Sequence, residues 1–228
     1  ADGNKVLVTG GIKFDGDYAA GHDLRLEKAR NLVLGREVLL GASTHSGEEQ
    51  ALLNCLPVLQ EISPNFLLVL APRHTHRVDQ IQKQCQSSGY KPRLFSSATK
   101  LEPADRVLIL DVMGQLESYF HVAKVAFIGG SLIPVGGHNL LEAVRAGAGV
   151  IMGPHLDNIE DIAGQFIESE AMRVIGNREE LAQVIIDLMQ DEAERVRMVN
   201  AALSVLNENR GSIKRNFELI LRMLEFGR

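Results

Sequence analysis

Cysteine is scarce in this chain: Cys55 and Cys85 are the only two in 228 residues. They form no close-spaced metal or redox motif, and two cysteines cannot build a disulfide framework, so a reducing cytosolic compartment is expected. An excess of positive charge is also missing. With 24 Lys and Arg against 29 Asp and Glu, the net charge is −5 and the pI about 5.8. That balance gives no footprint for nucleic acid, although a single basic side chain can still hold a phosphate. Long apolar runs are absent as well. The longest, such as residues 66–71, fall far short of the roughly 20 residues that cross a bilayer, and no signal-peptide pattern precedes them. There is no internal repeat, no low-complexity linker, no GxGxxG and no P-loop with its lysine.

What is there is an ordinary globular composition, 45% hydrophobic and 23% charged, long enough to bury a sizeable core as one large domain or a domain with an appendage. Residues 38–40, 66–70, 107–110, 125–128 and 149–152 are short runs rich in branched aliphatics and closed by Gly, Pro or Asp. They predict buried parallel strands. Between them, residues 48–60, 77–88 and 139–146 have helical composition, with Ser46 and Glu49 at capping-box spacing. Strands alternating with helices predict an α/β fold, a doubly wound parallel sheet whose ligands bind at the carboxyl ends of its strands. After residue 176 the pattern changes to amphipathic helices. Asn177 with Glu180 opens one that carries Leu181, Val184, Ile185 and Leu188 on a single face. Ile213, Phe217, Ile220, Leu221 and Leu224 form a second stripe.

The densest signal is residues 129–143, GGSLIPVGGHNLLEA. Two glycine pairs follow a predicted strand, and His138, Asn139 and Glu142 arrive where a helix should begin. Glycines allow close backbone approach, a helix start offers N–H groups to a phosphate, and a carboxylate one turn on suits ribose hydroxyls. The same glycines fit a plain strand-to-helix turn with Asn139 as its cap, and spacing alone leaves both open. Other polar groups fall on the same predicted rim: Ser43, Thr44, His45 and Ser46 after the first strand, Pro72, Arg73 and His74 after the second. Asp111, Met113 and Gly114 follow the third, and His155 and Asn158 follow the last.

Residues 41–49 (GASTHSGEE), 71–74 (APRH), 111–116 (DVMGQL), 127–142 (FIGGSLIPVGGHNLLE) and 152–155 (MGPH), in this order, resemble the carboxyl-terminal domain of the 3-deoxy-D-manno-octulosonic acid (Kdo) transferases. These are GT-B glycosyltransferases that move Kdo from CMP-Kdo onto lipid A precursors at the cytoplasmic face of the Gram-negative inner membrane. Residues 8–15 are similar to the segment that precedes this domain in the family. The resemblance implies an interdomain segment over residues 1–20, a Rossmann-like nucleotide-sugar-binding core over 21–176 and helices packing on the same lobe over 177–228. It places Arg73 on the CMP phosphate, with Pro72 beside it. Met113 and Gly114 would lie against the nucleotide, and Gly137, His138, Asn139 and Glu142 would surround its phosphate and ribose. Ser43, Thr44 and His45 would meet the donor sugar. No metal and no cofactor are implied.

The family's general base and acceptor surface belong to the other lobe, so the resemblance implies an isolated donor-binding half, inactive by itself, that touches membrane only through that second lobe. Glu48, Glu49, Asp111 and Glu142 all lie on the donor side. Three departures stand out: Ser46 in place of Glu, Thr75 and His76 in place of Pro and Glu, and Val112 with Gln115 in place of Thr and Glu. The residues by themselves also admit another GT-B enzyme, a UDP-sugar epimerase lobe, or a noncatalytic nucleotide-sugar-binding module.

Overall fold

The computed structural model describes residues 11–16 and 22–226. The 1–20 segment therefore lies mostly outside the described residues, as does the side chain of Leu224. Among the described residues seven strands, β1 (Glu37–Thr44), β2 (Phe66–Pro72), β3 (Arg93–Leu94), β4 (Val107–Ile109), β5 (Ala123–Ile128), β6 (Gly149–Met152) and β7 (Arg173–Val174), make one sheet. Their order is β3-β4-β2-β1-β5-β6-β7, and every pairing is parallel. The helices are α1 (His22–Leu32), α2 (Glu48–Ile62), α3 (Val78–Ser87), α4 (Leu116–Phe120) and α5 (Leu141–Ala146). The chain continues with α6 (Glu160–Glu168), α7 (Leu181–Gln190), α8 (Glu192–Glu208) and α9 (Ser212–Phe226). This is the doubly wound α/β sheet that the alternation of apolar runs predicts. The five predicted strands are all present, and the two unpredicted ones, β3 and β7, are two-residue pairings at the sheet edges.

Continuous apolar runs make sense here because both faces of the sheet are covered. Side chains alternate across a strand, so one run feeds two cores. Leu40, Val69, Ala126 and Val150 join one cluster with α1, α4, α5 and α8 residues such as Ala29, Tyr119, Val144 and Val205. Leu39, Leu68, Phe127 and Ile151 join the other with α2, α3 and α7 residues such as Leu52, Ile81 and Ile185. The first tail stripe is thus accounted for: Leu181, Ile185 and Leu188 are fully buried. Asn177 Oδ1 accepts the Glu180 N–H and Glu180 reaches back to the Gly176 N–H, but these bonds lie in the turn before the helix, which begins at Leu181. The second stripe behaves differently, with Ile213, Phe217, Ile220 and Leu221 on α9 between 43% and 61% exposed. Periodicity reports which residues share a face, and here that face lacks cover among the described residues.

Strand β1 lies between β2 and β5, and the chain winds outward from it in both directions, so the switch point of the sheet falls between the carboxyl ends of β1 and β5. What ties these two ends together is Glu48, whose side chain is fully buried. One carboxylate oxygen accepts the N–H groups of His45 (2.9 Å) and Gly130 (2.9 Å), and the other those of Ser131 (3.1 Å) and Leu132 (3.0 Å). The predicted Ser46–Glu49 capping box is absent. Gly47 caps α2 with φ of 97° and no side-chain bond, Glu48 turns back to His45, and Glu49 pairs with Arg77 at 2.8 and 3.1 Å. A residue of the first turn that can reach another loop serves the fold better than one that only caps its own helix.

Glu48→Gln keeps the size but leaves one oxygen for four donors. Two backbone N–H groups then lose their acceptor, at about 1–3 kcal/mol each, so the variant is expected to unfold in chemical denaturant with at least about 2 kcal/mol less stability. Wild-type stability in that variant would show that the four bonds are dispensable.

Candidate functional site

The carboxyl ends of β1, β2 and β4 bring five of the predicted site residues together. Ser43, Pro72, Arg73, Met113 and Gly114 line one cleft of about 110 Å³, with Thr75, Val112 and Leu116 completing its wall. Ser43 sits at a break in the β1–β2 register with φ of 52°, a left-handed conformation that a non-glycine residue adopts only when its surroundings hold it there. Arg73 is exposed beyond β2, while its backbone N–H is tied to the Thr44 carbonyl at 3.0 Å. The guanidinium is thereby anchored at the base and open at the tip. Met113 is 71% exposed on the opposite side, and Gly114 has φ of 78° and open space where a Cβ would stand.

Across the switch, the β5–α5 loop brings His138 against His45. His138 Nε2 and His45 Nε2 are 2.8 Å apart, and His74 meets His45 edge-on at 5.9 Å between centroids. Burial, then the neighbouring His45, Arg73 and His74, hold the His138 pKa below the ordinary histidine value. Asn139 is exposed, and its Oδ1 accepts the Leu141 N–H at 3.2 Å, so α5 begins two residues later than predicted, at Leu141. Glu142 lies half-buried in the first turn of α5, and its pKa is raised by burial first and by the charge of Glu117 second. Arg145 and a hydrogen bond from Asn139 oppose that rise.

Two predicted contacts do not survive in the folded chain. Thr44 is fully buried, so its side chain cannot meet a donor sugar, and what it offers the site is its carbonyl, which holds Arg73. Gly137 is buried and its N–H donates to the Gly130 carbonyl at 2.7 Å, which removes it as a phosphate donor. The same applies to much of the glycine-rich turn: the amides of Gly130, Ser131 and Leu132 are committed to Glu48, and that of His138 to the Gly129 carbonyl at 3.2 Å. These glycines serve close packing. A Cβ on Gly129 would stand 2.4 Å from the Ser43 carbonyl oxygen, and one on Gly136 would stand 2.7 Å from the Asn158 amide. The turn alternative thus explains the glycines, while the side chains around them carry the polar chemistry.

Of the four carboxylates on this rim, three are occupied: Glu48 by amides, Glu49 by Arg77, and Asp111 by the Ser96 N–H and hydroxyl. Glu142 is partly exposed, and its pKa is raised. Among the described residues no group of three or more His, Cys, Asp or Glu is placed to hold a metal ion. Glu48 was legible only as a helix-starting acid, because nothing in its local sequence says that three of its four partners are 82 to 84 positions away.

No protein-family model matches the chain. The 3-deoxy-D-manno-octulosonic acid transferase of Haemophilus influenzae is 30% identical over 223 residues, covering 97% of this chain and 52% of the relative. The enzyme of the same name from Bordetella pertussis is 33% identical over 224 residues, covering 96% and 52%. The chain spans about half the length of the curated relatives it matches. Among solved structures, the C-terminal CMP-Kdo binding domain of WaaA from Acinetobacter baumannii aligns with a TM-score of 0.76 and 27% identity, covering 81% of this chain and 99% of that one. Anabaena HepE in complex with UDP and glucose aligns with a TM-score of 0.61 at 15% identity, a likeness of fold alone. By sequence along nearly its whole length and by the architecture of its sheet, the chain belongs to the Kdo transferase family and corresponds to the family's carboxyl-terminal GT-B lobe.

Proposed function

We propose that this lobe holds the donor CMP-Kdo for a Kdo transferase acting in lipopolysaccharide assembly. The observation that carries it is the cleft beside the switch point, where Ser43, Pro72, Arg73, Met113 and Gly114 converge from the ends of β1, β2 and β4. A permanently charged guanidinium suits the donor phosphate, which it can grip through two parallel N–H···O bonds. Met113 offers an apolar surface to the base, and Glu142 with Asn139 accepts from and donates to the ribose. Kinship with a protein named as a CMP-Kdo binding domain supports the choice of nucleotide.

The lobe's part in catalysis is then to hold the donor and to stabilise charge that develops on the departing CMP, through Arg73. The acceptor hydroxyl of a lipid A precursor must be deprotonated from the far side of the anomeric carbon, and every carboxylate of this rim is on the donor side. The base, the acceptor site and any contact with the cytoplasmic face of the inner membrane are assigned to a second lobe. Among the described residues no helix is long and apolar enough to cross a membrane.

Calorimetry with CMP tests the donor site. Binding is expected, and Arg73→Ala should weaken it by about 1.5–3 kcal/mol, the range for a hydrogen bond to a charged group; binding of UDP with no response to CMP would refute the assignment.

Glu142 gives a pH-dependent expectation. Its raised pKa means that the folded lobe prefers the carboxyl protonated, so its contribution to stability is present at low pH and is lost as pH rises through the raised value. Ribose needs the opposite state, the ionised acceptor. CMP affinity should therefore fall as pH drops below that raised value, and Glu142→Ala should weaken CMP by about 1.5–3 kcal/mol at neutral pH while flattening this part of the profile. Equal affinity for CMP and its 2′,3′-dideoxy analogue would remove the ribose role.

Transfer is a separate matter. Residues 1–228 with CMP-Kdo and a lipid A precursor should give only background hydrolysis, because orienting two substrates accounts for about 7–11 kcal/mol of barrier lowering. Transfer by this lobe alone would overturn the division of labour between lobes.

A further inference from the structure

The contact between His45 and His138 is a hydrogen bond made edge to edge. Their Nε2 atoms are 2.8 Å apart, the ring planes differ by 12°, and the centroids are 5.1 Å apart. The centroid separation exceeds the N···N distance by about the sum of the two ring radii, so both nitrogens lie on the line between the rings and point at each other. Such a bond needs one ring with a protonated Nε2 and one with a bare Nε2. The pair can therefore be neutral or carry a single positive charge. Two imidazolium rings would set N–H against N–H and force the contact apart.

The surroundings decide which state the pair prefers. From the β2–α3 loop come Arg73 and His74, with His76 stacked on His74 at 5.5 Å and Arg77 behind them, paired with Glu49. From the start of α2 comes Glu48, whose carboxylate is taken up by backbone amides, the His45 N–H among them. From the β5–α5 loop comes Gly130, over which a Cβ would lie 3.1 Å from the His138 ring. Burial, then His45, Arg73 and His74, hold the His138 pKa below the ordinary histidine value, so an added charge on that ring is disfavoured. An anion docked against the rings would change the sign of that balance. A proton from solvent could then settle on the bare Nδ1 of the ring that donates, and the neutral bond would become a charge-assisted N–H⁺···N bond facing a counter-ion.

We propose that His45 and His138 form a proton-coupled clamp for the carboxylate of the donor's acidic sugar, taking up one proton as that carboxylate docks. This rests on the donor assignment above. Arg73, charged at every working pH, matches the phosphate that all sugar nucleotides carry. A pair that charges only when a carboxylate arrives adds discrimination: a neutral sugar would find a neutral pair and gain nothing from it.

The test compares CMP-Kdo with cytidine 5′-methylphosphate, which has the same phosphodiester charge and no carboxylate, by calorimetry in buffers of different ionisation enthalpy. Near neutral pH, CMP-Kdo should take up close to one proton per molecule bound and the methyl ester almost none, so affinity for CMP-Kdo should rise as pH falls while that for the ester stays level. His138→Gln and His45→Gln, which can hydrogen-bond but cannot take the charge, should each abolish the uptake and weaken CMP-Kdo roughly tenfold, about 1.4 kcal/mol. Imidazole ¹⁵N shifts of the free protein should show one protonated and one bare Nε2, titrating together as a single site. Binding of both ligands with equal proton uptake would overturn the clamp and leave the donor site standing. Binding of neither would overturn both, as would uptake that persists in the glutamine variants overturn the clamp alone.

Discussion

A carboxylate without a basic partner holds the working end of this lobe together. Among the described residues the partners of Glu48 are four backbone amides, three of them consecutive at Gly130, Ser131 and Leu132. Burying an isolated charge is expensive, and only a full set of aligned N–H dipoles makes it tolerable. Because one donor belongs to the β1–α2 loop and three to the loop after β5, the two loops cannot slide past each other without exposing that charge. Gly129 adds the matching steric constraint, since its backbone packs so tightly on Ser43 that no side chain fits between.

The other site features follow from that lock. With the two strand ends clamped, His45 and His138 meet with their ring edges aligned. The Thr44 carbonyl is left to anchor the Arg73 backbone, and Arg77 lies against it at 3.5 Å while gripping Glu49. The carboxylates on this rim thus divide by task. Glu48 and Glu49 are spent on holding loops, Asp111 on holding Ser96, and Glu142 keeps an unusual appetite for its proton. An anion-binding nest that looks made for phosphate is filled internally by the Glu48 carboxylate, while the Arg73 side chain stays exposed at the same rim.

The loop chemistry also explains why motif and geometry need separate treatment. The four glycines of residues 129–137 suggest amides offered to a ligand, yet several of those amides are consumed by the protein itself. Residues picked out on the same motif, His138 and Glu142, remain partly accessible and electrostatically altered. Proximity in sequence put amides and side chains in one stretch, and folding assigned them opposite duties.

The sequence by itself determined the sheet and its covering helices. Apolar runs such as residues 66–70 have no polar face, so only a strand buried on both sides can accommodate them, and the 3.6-residue stripe of Leu181, Ile185 and Leu188 admits one packing face. The rim was legible too, because the ends of parallel strands are where such a sheet places its loops. Local rules could not supply β3 and β7, whose two residues each carry too little periodicity, nor the start of α5, which Asn139 shifts by bonding to Leu141. They gave the stripe on α9 a face and could not say what stands against it. Only the tertiary structure decided that Thr44 and Gly137 turn inward, that Glu48 reaches across the sheet, and that two histidines 93 positions apart share a hydrogen bond. Propensity and periodicity act over one or two turns of chain, whereas a buried charge chooses its partners from whatever backbone the whole fold brings within about 3 Å.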